Sequence, residues 1–543
     1  MSSIEQMQGD KPNGGPSGST VATTATPAPA PLPPLTGTQL LLGTVALSLA
    51  TFMNVLDSSI ANVSIPSIAG DLGVSPNQGT WVITSFGVAN AISVPLTGWL
   101  TQRFGAVKLF TTSILLFVLT SFLCGFAPSL ELLVLFRVMQ GLVAGPMIPL
   151  SQTLLLASYP PAKAGTALAL WGVTTLVAPV AGPLLGGWIT DNISWPWIFY
   201  INIPVGIFSA TLTWSIYRSR ETTVRKLPID TVGLTLLVIW VGALQLMLDK
   251  GKELDWFSSS LIVGLACVAL VSFVIFVIWE LTDDHPVVDI RLFAGRNFAF
   301  GALTLSVAYG LFFGNVVLLP LWLQQFMGYT ATSAGMALAP VGIFAILLTP
   351  LVGKKVSQWD PRVMATGAFI VFAFVLLLRS QFTTDADFYH ILLPTLLQGA
   401  AMAFFFIPLT TLTLAGLPPS RIPAAAGLSN FVRIMAGAMG TSIVTTLWES
   451  RAALHHSHLS EPLSQVEGNL PWTLSAMQNN GMSLNQSLIQ INRVMDQQAF
   501  TNAATDIFLA SAVLFILLIG MIWLTKRPKK IAPSLVKDGG GAH

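Results

Sequence analysis

Two charged side chains, Asp57 and Arg137, fall inside long apolar stretches of this sequence. A charge within a lipid bilayer costs roughly 3 kcal/mol on insertion scales, so it usually persists there because it carries a proton, an ion or a substrate. Such an arginine is expected to face the protein interior and pair with a carboxylate or carbonyls, unless it extends to the membrane surface. We expect Asp57 to bind and release a proton, and we expect its distance from Arg137 to set its proton affinity. The alternative is that Asp57 only stabilises the fold by capping or pairing.

A third charge, Arg433, is also expected within the membrane. It could contact an anionic substrate or a lipid headgroup, or pair within its own half of the protein, and the sequence does not rank these roles. Other polar and aromatic residues could line a cavity, although most of the aromatic ones are expected to face lipid or pack in the core. These cavity candidates are Asn54, Gln140, Trp171, Tyr309, Phe405 and Phe406.

Two glycine-rich motifs are candidates for conformational change. The first, at 98–108, permits a tight turn whose cations could cap helices or pair with acids on a neighbouring bundle, which would form a gate; alternatively it only sets topology. Its gating candidates are Gly98, Arg103, Gly105 and Lys108. The second motif, at 178–187, would let two helices approach closely and seal one side between the halves. Its candidates are Gly182, Pro183, Gly186 and Gly187.

The composition indicates that long apolar helices in a lipid bilayer position these residues. Hydrophobic residues make up 53% of the 543, charged residues only 9%, and the net charge of +2 gives no indication of nucleic-acid binding. A span needs about 20 apolar residues, and this criterion predicts fourteen spans. They cover about 39–62, 79–100, 107–127, 131–156, 164–189, 197–217, 231–249, 259–281, 298–323, 332–352, 363–381, 389–415, 425–448 and 505–524.

Basic residues alternate in number between successive loops. They are concentrated on one side, at Arg103, Lys108, Lys163, Arg218, Arg220, Arg225, Lys226, Arg291, Arg296, Lys354, Lys355, Arg362 and Arg421, and in the C-terminal tail at Lys526, Arg527, Lys529 and Lys530. The other side has only Lys250, Lys252, Arg451 and Arg493. The positive-inside rule therefore predicts that both termini are cytoplasmic and that the number of spans is even.

An internal repeat relates the two ends of the chain. Gln140-Gly141 followed by Ile148-Pro149-Leu150 recurs as Gln398-Gly399 followed by Ile407-Pro408-Leu409. The repeat pairs spans 1–6 with spans 9–14 in the same orientation, as in transporters that rock two bundles around a central site. We therefore predict an all-α integral membrane protein with two parallel six-helix bundles and an inserted helix pair. The predicted boundaries are a disordered N-terminal tail 1–36, bundles 37–218 and 297–525, the inserted pair 230–282, and a C-terminal tail 526–543.

The segment between spans 13 and 14, at 450–504, is predicted to be a long loop on the side opposite the basic loops. It includes 483–500, which could form an amphipathic helix, and it is either a docking surface or a flexible insertion. His455, His456 and His458 lie near its start, but no cysteine or acid stands at supporting spacing, so we do not expect a metal site.

These motifs resemble the major facilitator superfamily, and specifically its fourteen-span drug:proton antiporters of the EmrB/QacA type. The resemblance rests on 56–63, 98–108, Arg137 with Gln140-Gly141, 182–187 and 195–204. It implies a pump in the inner membrane of Gram-negative bacteria that exports hydrophobic toxic compounds in exchange for protons, with no cofactor beyond the proton gradient. It also implies a periplasmic adaptor of the EmrA type and an outer-membrane channel of the TolC type as partners. Gln102 departs from the superfamily pattern, which has Asp there.

These observations predict alternating access in which Asp57 is protonated from outside and releases the drug. An exporter of fatty acids or other anionic amphiphiles is the nearest alternative, and Arg433 would matter more there. An intramembrane enzyme is not expected, because no histidine falls securely inside a span. A non-transporting sensor is not expected either, because no soluble signalling domain is attached.

Overall fold

The computed structural model describes residues 33–74, 76–160, 163–224, 228, 230–356, 358–461 and 470–527. Within them, thirteen helices are long and apolar enough to cross a membrane, and a fourteenth is bent by 45° between Pro179 and Leu184. All fourteen predicted spans therefore correspond to helices. We number them α1 Gly37–Asp71, α2 Trp81–Phe104, α3 Ala106–Gly125, α4 Leu130–Ser158, α5 Ala164–Asn192, α6 Trp197–Arg220, α7 Thr231–Lys250, α8 Ser260–Thr282, α9 Arg296–Gln325, α10 Ser333–Lys355, α11 Pro361–Arg379, α12 Phe388–Leu414, α13 Ile422–Ser460 and α14 Leu484–Ile522.

Local signals set several helix ends. The Ser129 side chain accepts a hydrogen bond from the main chain at the start of α4, and the Asp230 and Asp360 side chains do so at the starts of α7 and α11. Gly105 has φ +88° in the tight turn between α2 and α3, a conformation that favours glycine. Short 3₁₀ turns interrupt α1 at Ala61–Ser64 and α2 at Val94–Leu96.

The two halves pack their helices in the same pattern, which confirms the parallel repeat. Helix α1 contacts α4, α5 and α6, and its equivalent α9 contacts α12, α13 and α14. Likewise α2 packs on α4 and α3 on α6, as α10 packs on α12 and α11 on α14. The inserted helices α7 and α8 pack on each other, and α7 also contacts α2 and α13, at the seam between the halves.

The segment predicted as a loop at 450–504 is instead mostly helical. Helix α13 continues to Ser460, a short helix spans Leu470–Asn479, and α14 begins at Leu484 with a capping box between Ser483 and Gln486. The helix expected at 483–500 is thus present but continuous with the last span. A helix of 39 residues, such as α13 or α14, is about 58 Å long, whereas a hydrocarbon core is about 30 Å thick. Both helices therefore extend beyond the membrane as a paired hairpin.

Contacts between α13 and α14 explain why the polar segment stays helical. Trp448 donates a hydrogen bond to the main chain of Phe500 and packs edge-on against its ring. Arg451 and His455 both contact Asp506, at 2.6 and 2.8 Å. The described residues contain no cluster of three metal-ligating side chains, and His455 and His456 make polar contacts across the hairpin. The predicted tails fall largely outside the described residues, at 1–32 and 528–543.

Candidate functional site

Asp57 and Arg137 form a salt bridge in the interior of the N-terminal bundle. Arg137 Nη1 lies 2.5 Å from Asp57 Oδ2, and neither side chain has any exposed surface. Asp57 lies on α1, and Arg137 lies on α4. Because both charges are removed from water, the pair is costly unless its remaining hydrogen-bonding groups are also satisfied.

Neutral polar side chains from three helices complete the cluster. Gln140 lies one turn after Arg137 on α4, so both side chains share one face of that helix. Its amide nitrogen donates to Asp57 Oδ1 at 3.2 Å and to Ser121 of α3 at 2.8 Å, and its oxygen accepts from Arg137 at 2.6 Å. Asn202 of α6 donates to Asp57 Oδ1 at 2.8 Å. The carboxylate thus accepts three hydrogen bonds, one of them from the guanidinium.

Helix α2 closes the remaining side of the cluster. Arg137 Nε donates to the main-chain oxygen of Val82 at 2.9 Å, and the guanidinium lies 4.2 Å from the centre of the Phe86 ring. Phe199 lies on the far side, at 5.4 Å. Only Nη2 of the guanidinium lacks a hydrogen-bond partner. If α1 and α4 moved apart, the Asp57 carboxylate would lose its contact with Arg137 and could bind a proton instead.

A second polar cluster occupies the equivalent place in the C-terminal bundle, and its arginine was missed from the sequence. Arg379, in the last turn of α11, is buried and donates to Gln398 at 2.6 Å and to Thr395 at 3.3 Å. Asn315 of α9 lines the same cavity of about 10 Å³. Gln140 and Gln398 are 258 positions apart, as are Asp57 and Asn315, so the acid of the first half is an amide in the second. The repeat spacing is the signal that could have identified this cluster.

Arg433 lies where the two halves meet. Its guanidinium lies 4.6 Å from the Tyr309 ring and 5.1 Å from the Phe406 ring, and it donates to Asn430 at 2.7 Å. Asn430 in turn donates to Gln152 of α4 at 3.1 Å, which links the halves. Arg433 is 2% exposed, its Nη1 has no hydrogen-bond partner, and no acidic residue forms a salt bridge with it in the described part of the chain. The predicted pairing within its own half is therefore with neutral groups.

Of the other cavity candidates, Tyr309 is half-buried and the rest are buried rather than lipid-facing. Trp171 of α5 packs 6.2 Å from Phe406 across the seam and donates to Ser151 at 3.0 Å. Phe405 packs against Phe369 and Phe372 inside the C-terminal bundle and edge-on against Phe406. Asn54 donates to the main chain of α4 at 3.0 Å, one turn from Asp57. Trp171, Tyr309, Phe406 and Arg433 therefore form one group, which we call the interbundle site.

The glycine motif at 98–108 divides between two environments. A methyl group at Gly98 would lie 2.7 Å from the Ala424 side chain of α13, so the halves touch at this position. Gly105 instead packs against Glu221, whose carboxylate accepts from the main chain of Val107 and Lys108 at the start of α3. Arg103 lies over the Trp99 ring. Gly98 thus lies at the contact between the halves, with Trp99 and Gln102 beside it in a crevice that Ala424 also lines, whereas Gly105 packs within one half.

The glycines of the second motif pack within the N-terminal half, whereas Leu184 of the same motif contacts Gly335 of α10 in the other half. Gly182 packs against Ser59, and Gly186 packs against Ile60 and Val63, so both lie against α1 of their own half. No neighbour lies within contact distance of a methyl group at Gly187, and the side chain of Pro183 lies outside the described part of the chain. The small-residue stripe thus provides a close contact with α1, and its part in sealing the seam between the halves stays a prediction.

Comparisons with known proteins agree with this architecture. The family profile described as Major Facilitator Superfamily matches residues 47–441. The chain is 52% identical to the "Multidrug export protein EmrB" of Escherichia coli, over 94% of this chain and 99% of that protein. It is 50% identical to the "Fatty acid resistance protein FarB" of Neisseria gonorrhoeae, with the same coverage. The solved structure of the human organic anion transporter MFSD10 is similar in fold alone, with a TM-score of 0.55, 14% identity and coverage of 90% of this chain and 100% of that one.

Proposed function

Since this chain belongs to the major facilitator superfamily, we propose that it is a proton-driven antiporter that exports hydrophobic and amphiphilic toxic compounds by alternating access. The family and the relatives are those of a multi-pass membrane transporter and not of an enzyme. The observation that carries the proposal is the salt bridge between Asp57 and Arg137, because this buried carboxylate can take up a proton when its cation moves away.

The contacts suggest how proton and drug would be coupled. In the described conformation the guanidinium and two amides stabilise the Asp57 carboxylate. If α1 and α4 separate when the outer side opens, desolvation without the arginine favours the protonated form. The interbundle site rearranges in the same movement, because Gln152 is also on α4 and bonds to Asn430. Protonation and drug release would therefore depend on one relative motion of the halves.

The proposal is tested by Asp57→Asn in proteoliposomes. Drug-driven proton movement should fall to the level of empty liposomes, because an amide cannot exchange a proton, whereas Asp57→Glu should retain part of it. Asp191→Asn is the matched control, since Asp191 is exposed. Asp57→Asn with wild-type coupled transport and wild-type expression would overturn the proposal.

A second candidate is an exporter of fatty acids or other anionic amphiphiles. Arg433 favours it, because a buried guanidinium with no acidic partner in the described part of the chain can receive the carboxylate of a substrate. The adjacent Phe406, Trp171 and Tyr309 rings would contact the apolar part of the same molecule. The relative named for fatty acid resistance supports this candidate.

Substrate charge separates the two candidates. In Arg433→Gln, transport of a medium-chain fatty acid should fall at least tenfold if the anionic substrate binds Arg433, while transport of a hydrophobic cation such as ethidium should not fall. Arg421→Gln removes an exposed arginine just before the same helix and serves as the control. Equal loss for both substrates would instead indicate a structural role for Arg433.

We further propose an inner-membrane location with both termini in the cytoplasm, and assembly with a periplasmic adaptor of the EmrA type and an outer-membrane channel of the TolC type. The hairpin beyond α13 and α14 offers a docking surface, because apolar side chains are exposed on a part that extends past the membrane. Trp472 is 76% exposed and Ile489 is 68% exposed.

The docking surface is tested with the double variant Trp472→Ser and Ile489→Ser. It should reduce recovery of a co-expressed adaptor with the purified protein, while transport in proteoliposomes without adaptor stays unchanged. Trp359→Ser, which removes an exposed tryptophan on the basic side, is the control. Undiminished recovery of the adaptor would exclude this surface.

A further inference from the structure

A second pair of buried acidic side chains lies outside the Asp57 cluster, on the inserted helices. Glu280, near the end of α8, is 0% exposed, and Asp230, which caps the start of α7, is 9% exposed. One oxygen of each carboxylate is satisfied: Glu280 accepts from the main chain of Val288 at 3.1 Å, and Asp230 accepts from Gly233 and Trp279 at 2.8 and 3.0 Å. The other two oxygens are buried and have no hydrogen-bond donor among the described residues.

Both unsatisfied oxygens lie next to the same position, the one that a side chain at Gly233 would occupy. A methyl group at Gly233 would lie 2.6 Å from Glu280 Oε1 and would also contact Asp230 Oδ2. Two ionised carboxylates this close and this buried repel each other strongly, and each lacks a donor for one oxygen. A single shared proton removes the repulsion and gives both oxygens a hydrogen bond.

The charged groups around the pair do not supply a counter-ion in the described part of the chain. On the segment after α8, Asp283 and Asp289 add negative charge, and Arg291 donates to the main-chain oxygens of Leu281 and Asp283. From the packed helices, Arg103 in the last turn of α2 lies over Trp99, and Arg421 before α13 is exposed. No salt bridge joins Asp230 or Glu280 to any described residue. Arg225 and Lys226 lie outside the described residues.

We propose that Asp230 and Glu280 form a proton-binding site separate from the Asp57 cluster, in which one carboxyl group donates its proton to the free oxygen of the other. The site holds one proton in an O–H···O hydrogen bond over Gly233. Among the described residues, neither Asp230 nor Glu280 contacts the Asp57 cluster or the interbundle site, so this is a separate site.

The proton site is connected to the contact between the halves. Glu280 accepts a hydrogen bond from the main chain of Val288, and residues 286–289 line a crevice of about 40 Å³ together with Gly98 and Ala424, two of the residues at which the halves touch. We call residues 283–289 the strap. Loss of the shared proton leaves two adjacent anions beneath the strap, so the strap should loosen as pH rises on the side of the basic loops.

The test is hydrogen exchange of the strap in the purified full-length protein in lipid nanodiscs. Between about pH 6 and pH 9, strap exchange in the wild type should rise about tenfold or more after correction for the intrinsic rate. Glu280→Gln should abolish this rise, because glutamine still accepts from Val288 and can donate permanently to Asp230. Asp230→Asn should also abolish the rise of strap exchange with pH, because it removes the other carboxylate of the pair. The second variant keeps the test valid if one of the two fails to fold.

Two comparisons complete the test. Asp284→Asn, which removes an exposed acid in the strap, should keep the wild-type pH dependence. Glu280→Ala should give fast strap exchange at every pH, because Val288 loses its acceptor. A pH dependence that persists in both Glu280→Gln and Asp230→Asn would overturn the proposal. Protection that depends on sodium chloride rather than choline chloride at fixed pH would overturn it in favour of a metal cation.

Discussion

The two bundles carry polar clusters at equivalent positions, but the clusters differ in charge. In the N-terminal bundle Asp57 and Arg137 are paired, and amides from two helices bond to the carboxylate. In the C-terminal bundle the partners of Arg379 among the described residues are neutral, Gln398 and Thr395, and Asn315 takes the place of the acid. A duplicated scaffold has thus kept the glutamine and the cavity position but confined the titratable carboxylate to one half.

The difference in charge indicates that the two halves have different roles in transport. Only the N-terminal cluster can change its charge by binding a proton, because arginine stays protonated in proteins. The C-terminal cluster is a fixed positive charge, and so is Arg433 at the interbundle site. We therefore expect the N-terminal half to couple transport to protons and the C-terminal half to supply positive potential near the substrate.

The largest effect is expected when the acid and the amide are exchanged between the two clusters. The double variant Asp57→Asn with Asn315→Asp moves the carboxylate to the other half while keeping composition constant. We expect drug-driven proton movement in proteoliposomes to remain at the level of empty liposomes, because the moved carboxylate does not face the α1–α4 contact. Asn315→Asp alone should transport at close to the wild-type rate. Recovery of coupled transport in the double variant would show that the halves are interchangeable.

Removal of each buried arginine compares the clusters by stability. Arg137→Gln leaves Asp57 buried without its cation, and breaking a buried pair in this way costs about 3–5 kcal/mol. Arg379→Gln removes a charge whose partners are neutral, so the free energy of unfolding should change by about 1 kcal/mol or less. Thermal unfolding in one detergent measures both. An equal loss in Arg379→Gln would indicate that Arg379 has a bound counter-ion.

The equivalent glutamines provide a smaller contrast. Gln140→Ala removes two hydrogen bonds from the Asp57–Arg137 pair, each worth about 1 kcal/mol, so the coupled transport rate should fall about tenfold. Gln398→Ala should alter transport less than about twofold, because no titratable group depends on it. Initial rates, normalised to reconstituted protein, measure the difference. A larger effect at Gln398 would place the C-terminal cluster on the coupling path.

The sequence predicted the fourteen helices and the repeat because apolar length and recurring motifs are direct consequences of crossing a bilayer. Asp57 and Arg137 stood out because both lie well inside apolar segments. Arg379 and Glu280 did not, because each lies in or near the last turn of a span, where a charge ordinarily extends to the membrane surface. Burial by neighbouring helices removes that route, and only tertiary structure shows it.

The hairpin and the glycine stripe show the other limits of the sequence. Residues 450–504 lack an apolar run, so a search for spans ends both helices too early, although aromatic and ionic contacts between α13 and α14 keep them helical. Gly182 and Gly186 predict a close helix contact correctly in kind, but α1 makes it rather than the opposite half. Pairing partners depend on three-dimensional packing that no single segment encodes.

The smallest effect is expected at the Asp360–Arg362 salt bridge, which lies near the surface, unlike the buried Asp57–Arg137 pair. Asp360 lies before α11, where it contacts Arg362 at 2.9 Å and caps the helix by accepting from the main chain at 3.0 Å. The hydrogen bond from the Arg362 side chain holds the pKa of Asp360 below its ordinary value. Its charge therefore stabilises the fold at neutral pH, and this contribution is lost as pH falls through the lowered pKa.

Asp360→Asn keeps the cap and should cost about 0.5 kcal/mol at neutral pH, whereas Asp360→Ala should cost about 1–2 kcal/mol because it also loses the cap. Unfolding measured at neutral and acidic pH should show the Asn variant converging on the wild type in acid. If the two variants cost the same, the charge rather than the cap accounts for the stability at this position.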